Sequence, residues 1–570
     1  MMKKQQKSFK LKDSSLPVRI IPLGGLEEIG RNMTLIEYQN QLIIIDIGLQ
    51  FPDENTPGID FIIPNIEYLK NHPEKQILGV LITHAHYDHI GAIPYIIPQL
   101  NYPTIYATPL AKAIILKRQE DFPYLKKLNI ENLEVDQDKP LVLGPFKIRT
   151  FHLNHNIPET IGFVIETPVG LIVYATDFKF DFQPIADIPA DLNRIAEISS
   201  NGTTLLLSDS TNIEMTGHSL SETTIMENLD NVFNKAKGRI IMATFASLIS
   251  RLQQAITLSE KYKRKVIVEG FTMRTNLSIA QRLGYIKANK DTFTSIKELH
   301  RLNPNQITIL CTGAQGESEA TLMKIANKEH KNIKIQKGDT IIFSSSIVPG
   351  NEITVQALKD SLAKQGAIIY HYKMLDIHAS GHGYQEDAKM MISLTKPTFF
   401  MPIHGHFSKL KTHAQLAESL GIPPEHIVTP TNGQIVELYK NKIIATEKFV
   451  PTNYVMVDGL GVGDISEIVL RDRQILAQDG IFIIITPVDK RTGLLLKDPE
   501  VVSRGFVYMK ESKDLINETK KQIQSIIYHL AKEQVFNESY LRNTLKEEIG
   551  MYLFKKTKRR PMVLPVVIQV

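Results

Sequence analysis

The sequence has 570 residues, which is too long for one ordinary hydrophobic core and predicts two to four domains. Its 43% hydrophobic and 22% charged residues are typical of a globular protein and exclude the disordered and fibrous classes. The formal net charge of +5 is by itself a weak argument for binding a polyanion. Apolar stretches such as LIIIDIGL are far shorter than the ~20 residues that span a bilayer, so we expect no membrane segment.

Short apolar runs separated by turns fill residues 17–180, among them QLIIIDIG and QILGVLITH, and predict the strands of a buried sheet. Over 216–375 strands alternate with helices, as in GRIIMATFA followed by SRLQQAITLSEKY, which predicts a parallel α/β sheet. The stretch VELYKNKIIATEKFV predicts an edge hairpin. VDGLGVGDISEIVLRDRQIL then opens a smaller α/β unit that runs to the end of the sequence.

The sequence contains one cysteine, Cys311, so no disulfide can form within the chain. This fits a reducing compartment, and with no predicted signal peptide we expect a cytoplasmic protein. Any metal must then be bound by histidine and carboxylate side chains. Two basic stretches, MMKKQQKSFKLK at the start and KKTKRR at 555–560, either attract phosphate-bearing partners or are solvated tails.

Three histidines and an aspartate lie within six positions of the stretch LITHAHYDHIGA, directly after a predicted strand. Residues two apart in an extended segment point to the same side, so His84 and His86 can bind one ion. Asp88 and His89, beyond the bend, can face a second ion. The alternative, histidines that merely titrate on a loop, is disfavoured by this spacing. Imidazole and carboxylate suit zinc, manganese or iron, so the ligand types leave the metal open.

Further candidate ligands follow other apolar strands. They are His152 and His155 in FHLNHNIPET, Asp177 in LIVYATDFKFD, and His404 and His406 in KPTFFMPIHGHF. Each could singly be a satisfied side chain at a strand end, but together with the first cluster they predict a dinuclear site. Two ions bridged by an aspartate ~3.5–4 Å apart can activate a water and clamp the oxygens of a phosphodiester displacement.

The order of these motifs resembles the metallo-β-lactamase fold, in which Asp46, at the end of QLIIIDIG, matches the first motif and orients the ligand loops. The inserted α/β region resembles the β-CASP insertion of nucleases, with Asp209 in LLLSDSTNIEMTG, His382 in HASGHGYQED and His404 in PIHGH. More narrowly, residues 17–570 resemble bacterial ribonuclease J, on stretches such as PLGGLEEIGRNM, ATFASLISRLQQ, IVPGNE and SRGFVYMKES.

This resemblance implies an α/β fold made of a metallo-β-lactamase αββα sandwich, an inserted β-CASP α/β domain and a small C-terminal α/β domain. The expected boundaries are a basic tail over 1–16, the metallo-β-lactamase domain over 17–215 and 376–450, the β-CASP domain over 216–375, a linker over 451–467 and the C-terminal domain over 468–570. In the family the last domain supports dimerisation. The stretch INETKKQIQSIIYHLAKEQ predicts a helix that serves this purpose or covers its own domain's core.

The resemblance also implies roles for individual residues. One ion would be bound by His84, His86 and His155, the other by Asp88, His89 and His404, with Asp177 bridging the two. His155 is preferred to His152, which is expected to pack in a strand. No role is assigned to His406, because family members often carry a carboxylate there. Asp209 would hydrogen-bond behind the ligands, and His382 would stabilise charge or donate a proton near the scissile phosphate.

The loop around His382 is expected to bind the 5′-monophosphate of RNA. Its small residues let backbone N–H groups approach a phosphate, with His378, Ser380 and Gly381 in the same loop, although a plain turn is the alternative without the resemblance. The inserted domain adds Ser247 and Arg251. Ser247 is otherwise a helix cap, and Arg251 an ordinary helix-face charge. Phe271 in EGFTMRTN is a candidate for base stacking, but a place in the core is expected instead.

The resulting expectation is a two-metal ribonuclease, with zinc and alternatively manganese or magnesium, that runs 5′ to 3′ on single-stranded RNA and also cuts internally. Its partners would be a second copy in a homodimer or homotetramer, and a helicase or other ribonucleases of RNA decay. The alternatives are a catalytically inactive RNA-binding subunit, a 3′-end-processing or DNA-repair β-CASP endonuclease, and a small-molecule hydrolase such as a lactonase or thioesterase. A small-molecule hydrolase would not need some 150 inserted residues with their own histidine motif.

Overall fold

The computed structural model describes residues 16–52, 56–136, 138–200, 202–317, 319–348, 350–459, 461–463, 467–507, 512–532 and 537–570. The predicted basic tail, apart from its last residue, therefore lies outside the described residues. The chain divides into two compact units, one formed by residues 1–50 with 63–455 and the other by 51–62 with 456–570. No described helix is long and apolar enough to cross a membrane.

An eight-stranded sheet of the first unit has the order β20-β19-β1-β2-β3-β5-β6-β7. Its strands are β1 (Val18–Gly24), β2 (Met33–Tyr38), β3 (Gln41–Ile45), β5 (Gln76–Leu81), β6 (Ile105–Ala107), β7 (Ile130–Asn132), β19 (Gln434–Leu438) and β20 (Ile443–Phe449). β19 and β20 pair antiparallel at the sheet edge, which confirms the predicted edge hairpin.

A six-stranded sheet faces it, in the order β18-β12-β11-β10-β9-β8. Its strands are β8 (Leu141–Leu143), β9 (Phe146–His152), β10 (Ile161–Thr167), β11 (Gly170–Ala175), β12 (Leu205–Asp209) and β18 (Phe399–Ile403). Alternate strand residues point to opposite faces, so one set from each sheet, including Ile20, Ile43, Phe163 and Leu207, forms the core between the sheets.

Helices cover the outer faces of this sandwich. They are α1 (Glu67–Asn71), α2 (Tyr87–Ile90), α3 (Ile93–Ile96), α4 (Pro109–Gln119), α5 (Leu192–Ser199), α11 (Gln385–Thr395) and α12 (Phe407–Ser419). The second set of strand residues, such as Phe151 and Leu206, packs against helix residues Ile195, Met391 and Ala417. The layers are therefore helix, sheet, sheet and helix, as predicted.

A five-stranded parallel sheet is inserted between β12 and β18, in the order β14-β15-β13-β16-β17. It comprises β13 (Ile240–Ala243), β14 (Lys265–Val268), β15 (Ile307–Cys311), β16 (Thr340–Phe343) and β17 (Ile368–His371), with helices α6 (Glu222–Lys235), α7 (Ile249–Lys261), α8 (Phe271–Arg282), α9 (Thr321–Ala326) and α10 (Glu352–Lys364). β12 and β18 are parallel neighbours, so the chain leaves and re-enters the sandwich at adjacent strands.

The second unit contains a small sheet of β4 (Phe61–Ile63), β21 (Val455–Asp458) and β22 (Gly461–Val462). Its larger part has the strand order β24-β23-β25, made of β23 (Ile481–Val488), β24 (Glu500–Arg504) and β25 (Met562–Gln569), with α13 (Glu467–Asp479), α14 (Lys513–Lys532) and α15 (Glu538–Thr557). Residues Ile523 and Ile527 of α14 join Phe482 and Leu545 in this unit's core. The helix therefore covers its own core, one of its two predicted uses.

The prediction that Phe271 belongs to the core is wrong. Its side chain is 72% exposed, because Phe271 is the first residue of α8, directly after Gly270 in a left-handed turn. Sequence patterns locate the helix correctly, but a ring in its first turn points to solvent rather than onto the sheet.

Candidate metal centre

The candidate site lies where several strands of the sandwich end. Asp46, Asp177 and His404 follow β3, β11 and β18, and their φ angles are 61°, 47° and 53°. This left-handed backbone costs of the order of 1–3 kcal/mol for a residue that carries a side chain. The surrounding sheets enforce it at three strand ends, and it turns each side chain into the same space.

One group of side chains combines His84, His86 and His155 with Asp177. The Nε2 atoms of His84 and His155 lie 3.0 and 3.1 Å from Nδ1 of His86. Both Nε2 atoms are 3.7 Å from Oδ2 of Asp177. Three ring nitrogens and one carboxylate oxygen thus converge on one point, although the residues come from three separate parts of the chain.

A second group combines Asp88, His89 and His404 with the same Asp177. Oδ2 of Asp177 is 3.3 Å from Nε2 of His89, and Oδ2 of Asp88 lies 3.5 Å from Nε2 of His89 and 3.7 Å from Nε2 of His404. Asp177 is 1% exposed and belongs to both groups. Its carboxylate is therefore common to both groups, in the place where the resemblance implies a bridging residue.

In His89, His404 and His155, the ring nitrogen that points away from the ligand groups is hydrogen-bonded to a protein oxygen. Nδ1 of His89 pairs with Oδ2 of Asp46 at 2.8 Å, and Nδ1 of His404 with Oγ1 of Thr211 at 2.7 Å. Nδ1 of His155 donates to the carbonyl of Gly381 at 2.7 Å. Such contacts fix the ring orientation and turn the opposite nitrogen toward the metal-binding groups, where Nε2 of His89 also lies 3.1 Å from Nδ2 of Asn32. Asp46 thus has the orienting position expected for it.

The histidine pKa values are shifted in opposite directions in the two groups. Burial lowers the pKa of His84, His86 and His155, that of His86 to about 4, so these imidazoles are neutral at pH 7 and available as ligands. Burial also acts to lower the pKa of His404, but Asp177, Asp209 and Asp88 raise it overall to about 10. Acidic neighbours therefore favour positive charge in the second group, which protons or metal ions can supply.

The residues present fit a divalent cation. Nε2 of His404 is buried and has no hydrogen-bond partner among the described residues. Nε2 of His84 and Nε2 of His155 both face Nδ1 of His86, so three ring nitrogens lie together where a cation can bind. Imidazole nitrogens with carboxylate oxygens are a common donor set for zinc and other transition metals.

A third group joins Asp209 and His382 to the same centre. Nδ1 of His382 is 2.7 Å from Oδ2 of Asp209, while its Nε2 is 3.9 Å from Oδ2 of Asp177. Burial opposes a charge on His382, but Asp209 and Asp177 raise its pKa above the usual value. Asp209 therefore favours the protonated form of His382, whose second nitrogen faces the metal-binding groups.

The loop of residues 378–383 lies directly beside this centre. Ser380 Oγ accepts a hydrogen bond from Asn212 Nδ2 at 2.6 Å and from the backbone N–H of His382 at 3.2 Å. Nδ1 of His378 is buried with no partner in the described structure, and burial together with Arg251 lowers the pKa of His378 to about 3. The loop thus presents a neutral imidazole and small residues next to His382.

The two candidates from the inserted domain occupy different settings. Ser247 is half-buried, and α7 has Leu248 rather than Ser247 at its cap position, with no side-chain cap bond. Arg251 is fully buried, so it is not an ordinary helix-face charge. Its guanidinium donates to Ser344 Oγ, to the carbonyl of Ile377 at 2.5 Å and to Glu222 Oε2 at 3.0 Å. Arg251 therefore holds the start of the 378–383 loop.

Two other histidines lie outside the metal-binding groups. His152 ends β9, is 2% exposed, and its Nε2 is 3.0 Å from the carbonyl of Ile188. His406 is exposed, with Nδ1 3.3 Å from the carbonyl of Glu27. His155, rather than His152, thus joins the convergent group, as preferred from the sequence.

Sequence reasoning missed three supporting residues. Thr83 donates to both oxygens of Asp46, Thr211 connects Asp209 with His404, and Asn212 holds Ser380. Thr83 precedes His84 in LITHAH, and Thr211 and Asn212 follow Asp209 by two and three positions in LLLSDSTN. A hydroxyl or amide adjacent to a candidate ligand is the signal that would have found them.

Replacing Gly381 with alanine is expected to empty the first group. A Cβ at this position would lie 2.5 Å from Cε1 and Nδ1 of His155, so the His155 ring must move. We expect Gly381→Ala to reduce bound metal, measured by elemental analysis after dialysis. Gly550→Ala is the matched control, since its added Cβ comes no nearer than 3.9 Å to Val563. Equal metal content in both variants would contradict this view of Gly381.

Comparison with known proteins agrees with this architecture. Family models match for a beta-lactamase superfamily domain over residues 56–210, a ribonuclease J beta-CASP domain over 237–362, a Zn-dependent metallo-hydrolase RNA specificity domain over 371–430 and a ribonuclease J C-terminal domain over 468–570. Ribonuclease J 1 of Streptococcus pyogenes is 40% identical over 97% of both chains. The chain belongs to the ribonuclease J family.

Further relatives extend over the same length. Ribonuclease J2 of Bacillus subtilis is 35% identical and covers 97% of this chain and 99% of its own, and ribonuclease J 2 of Staphylococcus aureus is 35% identical over 98% and 100%. A crystal structure of an Enterococcus faecalis protein of unknown function matches with a TM-score of 0.53 at 17% identity, covering 74% of this chain and all of the other. That last likeness concerns the fold alone. The chain thus has a metallo-β-lactamase domain with an inserted β-CASP domain and a ribonuclease J C-terminal domain.

Proposed function

We propose that this member of the ribonuclease J family is a two-metal ribonuclease that hydrolyses RNA phosphodiesters, proceeds 5′ to 3′ from a monophosphorylated end, and also cuts internally. The observation that carries the proposal is the pair of ligand groups that share Asp177. His84, His86 and His155 would hold one ion, and Asp88, His89 and His404 the other. Zinc is the proposed metal, with manganese or magnesium as alternatives.

Two bound divalent cations would supply Lewis-acid activation of water and neutralise charge on the phosphate. The protein side chains contribute the rest. His89 and His404 are fixed from behind by Asp46 and Thr211, so their Nε2 atoms cannot turn away from the centre. This preorganisation means that little reorientation is needed when the phosphate charge develops in the transition state.

His382 is the proposed proton donor to the leaving oxygen. Its Nδ1 is paired with Asp209, and Asp209 and Asp177 raise its pKa, which favours the protonated ring that a proton donor needs. As water oxygen bonds to phosphorus and releases one proton to solvent, the bond from phosphorus to the 3′ oxygen breaks, and this oxygen takes the proton from Nε2 of His382. The products are a 3′ hydroxyl and a new 5′ phosphate on the downstream RNA.

The 378–383 loop is the proposed site for the 5′-monophosphate. His378 Nδ1 and Ser380 Oγ lie in the same loop as His382, and Asn212 and Arg251 hold the loop in place. Ser247 remains a predicted RNA contact, and for Arg251 we propose an effect through the loop. A phosphate bound there would set the next phosphodiester at the metal centre, which supports release of mononucleotides.

The test uses one RNA prepared with a 5′-monophosphate, a 5′-triphosphate or a 5′-hydroxyl. Each is incubated with the full chain and zinc or manganese, with and without a chelator, and the products are sized. We expect chelator-sensitive release of mononucleotides that is fastest from the monophosphate. Internal fragments that are indifferent to the 5′ group would favour an endonuclease, and no cleavage with any metal would favour an inactive RNA-binding subunit.

The setting of this activity is also proposed. The single cysteine of the sequence supports the cytoplasm. Homodimers or homotetramers, and association with a helicase or other ribonucleases in RNA decay, are predictions that light scattering and affinity purification would test.

A further inference from the structure

The positive charge of this protein is concentrated in one domain. Residues 468–570 contain 18 Lys and Arg against 12 Asp and Glu, a net charge of +6, whereas the whole chain has a net charge of +5. The remaining 467 residues, which include the metal centre, are therefore nearly neutral. A domain that carries more than the whole net charge in less than a fifth of the chain is suited to bind a polyanion.

The densest part of this charge is the segment at the end of α15, here called the basic cluster: Lys555, Lys556, Lys558, Arg559 and Arg560. All five residues are exposed. The C-terminus of a helix favours cations in its last turn, which accounts for Lys555 and Lys556 but not for the three that follow the helix.

Little of this charge is neutralised within the described structure. Glu518 forms the only ion pair of the basic cluster that the structure describes, with Lys556 at 2.7 Å. The Asp479 carboxylate accepts a hydrogen bond from the backbone N–H of Arg560 at 2.9 Å. Arg559 donates to the carbonyl of Phe506 at 3.1 Å, which orients its side chain without removing its charge.

An aromatic ring also organises the basic cluster. The Arg560 guanidinium lies 4.4 Å and the Lys558 ammonium 5.6 Å from the centre of the Phe554 ring. Such cation–π contacts hold long side chains in place, so less side-chain entropy is lost when a phosphate binds. Phe554 is half-buried beneath these cations and presents no apolar wedge of the kind that enters a lipid bilayer.

We propose that the basic cluster is a binding surface for the phosphate backbone of single-stranded RNA, outside the metal centre. It would hold RNA too long to be contained at the catalytic centre, without reading its sequence. The inference rests on the proposed ribonuclease function for its substrate, but it concerns a separate surface on a separate unit.

The test measures binding of a labelled 30-nucleotide RNA to the full chain by fluorescence anisotropy, in chelator and over a range of KCl concentrations. The variant combines Lys555→Gln, Lys558→Gln and Arg560→Gln, and keeps Lys556 and Arg559 because they have partners in the fold. Three lost contacts to a single strand should lower the slope of log K against log salt by about 2. Affinity at low salt should fall by at least about tenfold.

The matched control combines Lys490→Gln, Arg491→Gln and Lys497→Gln, three exposed cations of the same domain. It removes the same charge, and we expect it to keep nearly the wild-type slope. Equal slopes in the two triple variants, or an unchanged slope in the first, would overturn the proposal. Lys555→Gln alone, expected to lower the slope by about 0.7, keeps the test valid if the triple variant is unstable.

Two further measurements separate this inference from its alternatives. Cleavage of a six-nucleotide RNA should be the same for the wild type and the first triple variant. Failure of the wild type to cleave any RNA would count against the proposed ribonuclease function. The salt dependence of RNA binding would still test the basic cluster in that case. Loss of binding to phosphatidylserine vesicles with unchanged RNA binding would overturn the RNA assignment in favour of a membrane surface.

Discussion

Replacing Asp177 with asparagine is expected to abolish RNA cleavage while the protein still folds and binds RNA. Asp177 belongs to both ligand groups, so the loss of its charge weakens both at once. Removing a residue that only supports a metal ligand lowers metal affinity or activity about 10–100-fold. Removing a shared ligand should therefore lower the cleavage rate by more than about 100-fold. RNA affinity should change little, because phosphate contacts supply most of it. The measurements are single-turnover cleavage, metal content and RNA binding by anisotropy.

Asp187→Asn is the matched control for this substitution. Asp187 is a nearly buried carboxylate outside both ligand groups, and burial raises its pKa, so a neutral amide replaces it at small cost. We expect normal metal content and cleavage. If Asp177→Asn cleaves as fast as Asp187→Asn, the shared-ligand assignment is wrong.

Replacing Arg251 with methionine should destabilise the fold and slow cleavage without removing an exposed RNA contact. Arg251 is fully buried and pairs with Glu222, which is 2% exposed. Removing one partner of a buried ion pair costs about 3–5 kcal/mol, and Glu222 would keep only the more distant Lys179, at 3.7 Å, as a described cationic partner. The carbonyl of Ile377 also loses its donor, so the loop that carries His382 becomes less fixed. Urea denaturation and cleavage rates would measure the two effects.

A paired substitution distinguishes this role from direct RNA binding. Glu222→Gln with Arg251→Met removes both charges and should recover part of the lost stability. Arg301→Met is the control and should be nearly neutral, because this exposed arginine forms a surface ion pair with Glu298. If Arg251→Met instead weakens RNA binding at unchanged stability, Arg251 contacts RNA directly.

Much of the candidate site could be predicted because its ligands follow strands. His84, Asp177 and His404 each come directly after an apolar run, and strand ends meet at one edge whatever their separation in the sequence. The apolar runs also locate the layers, because the period of two assigns each residue to a face. The spacing of the ligands and the pattern of the strands therefore indicate the same site, even when the connections between the strands are not known.

Contacts between distant polar side chains could not be predicted. Glu222 and Arg251 are 29 positions apart on different helices, and neither helix alone indicates that its charged residue is buried. Arg251 was therefore predicted as an RNA contact, with an ordinary surface charge as the alternative, and Phe271 as a core residue. Both errors concern tertiary burial, which period and composition describe only on average.

The insertion between β12 and β18 also has a consequence for synthesis. His84 to Asp177 are made first, but His382 and His404 are translated only after the whole inserted domain, because they lie beyond residue 375. Domains generally fold in order as they leave the ribosome. A nascent chain, or one released early by a premature stop codon, would thus lack a complete metal centre. Under the proposed ribonuclease function, the order of translation itself leaves an unfinished copy unable to cleave RNA at this centre.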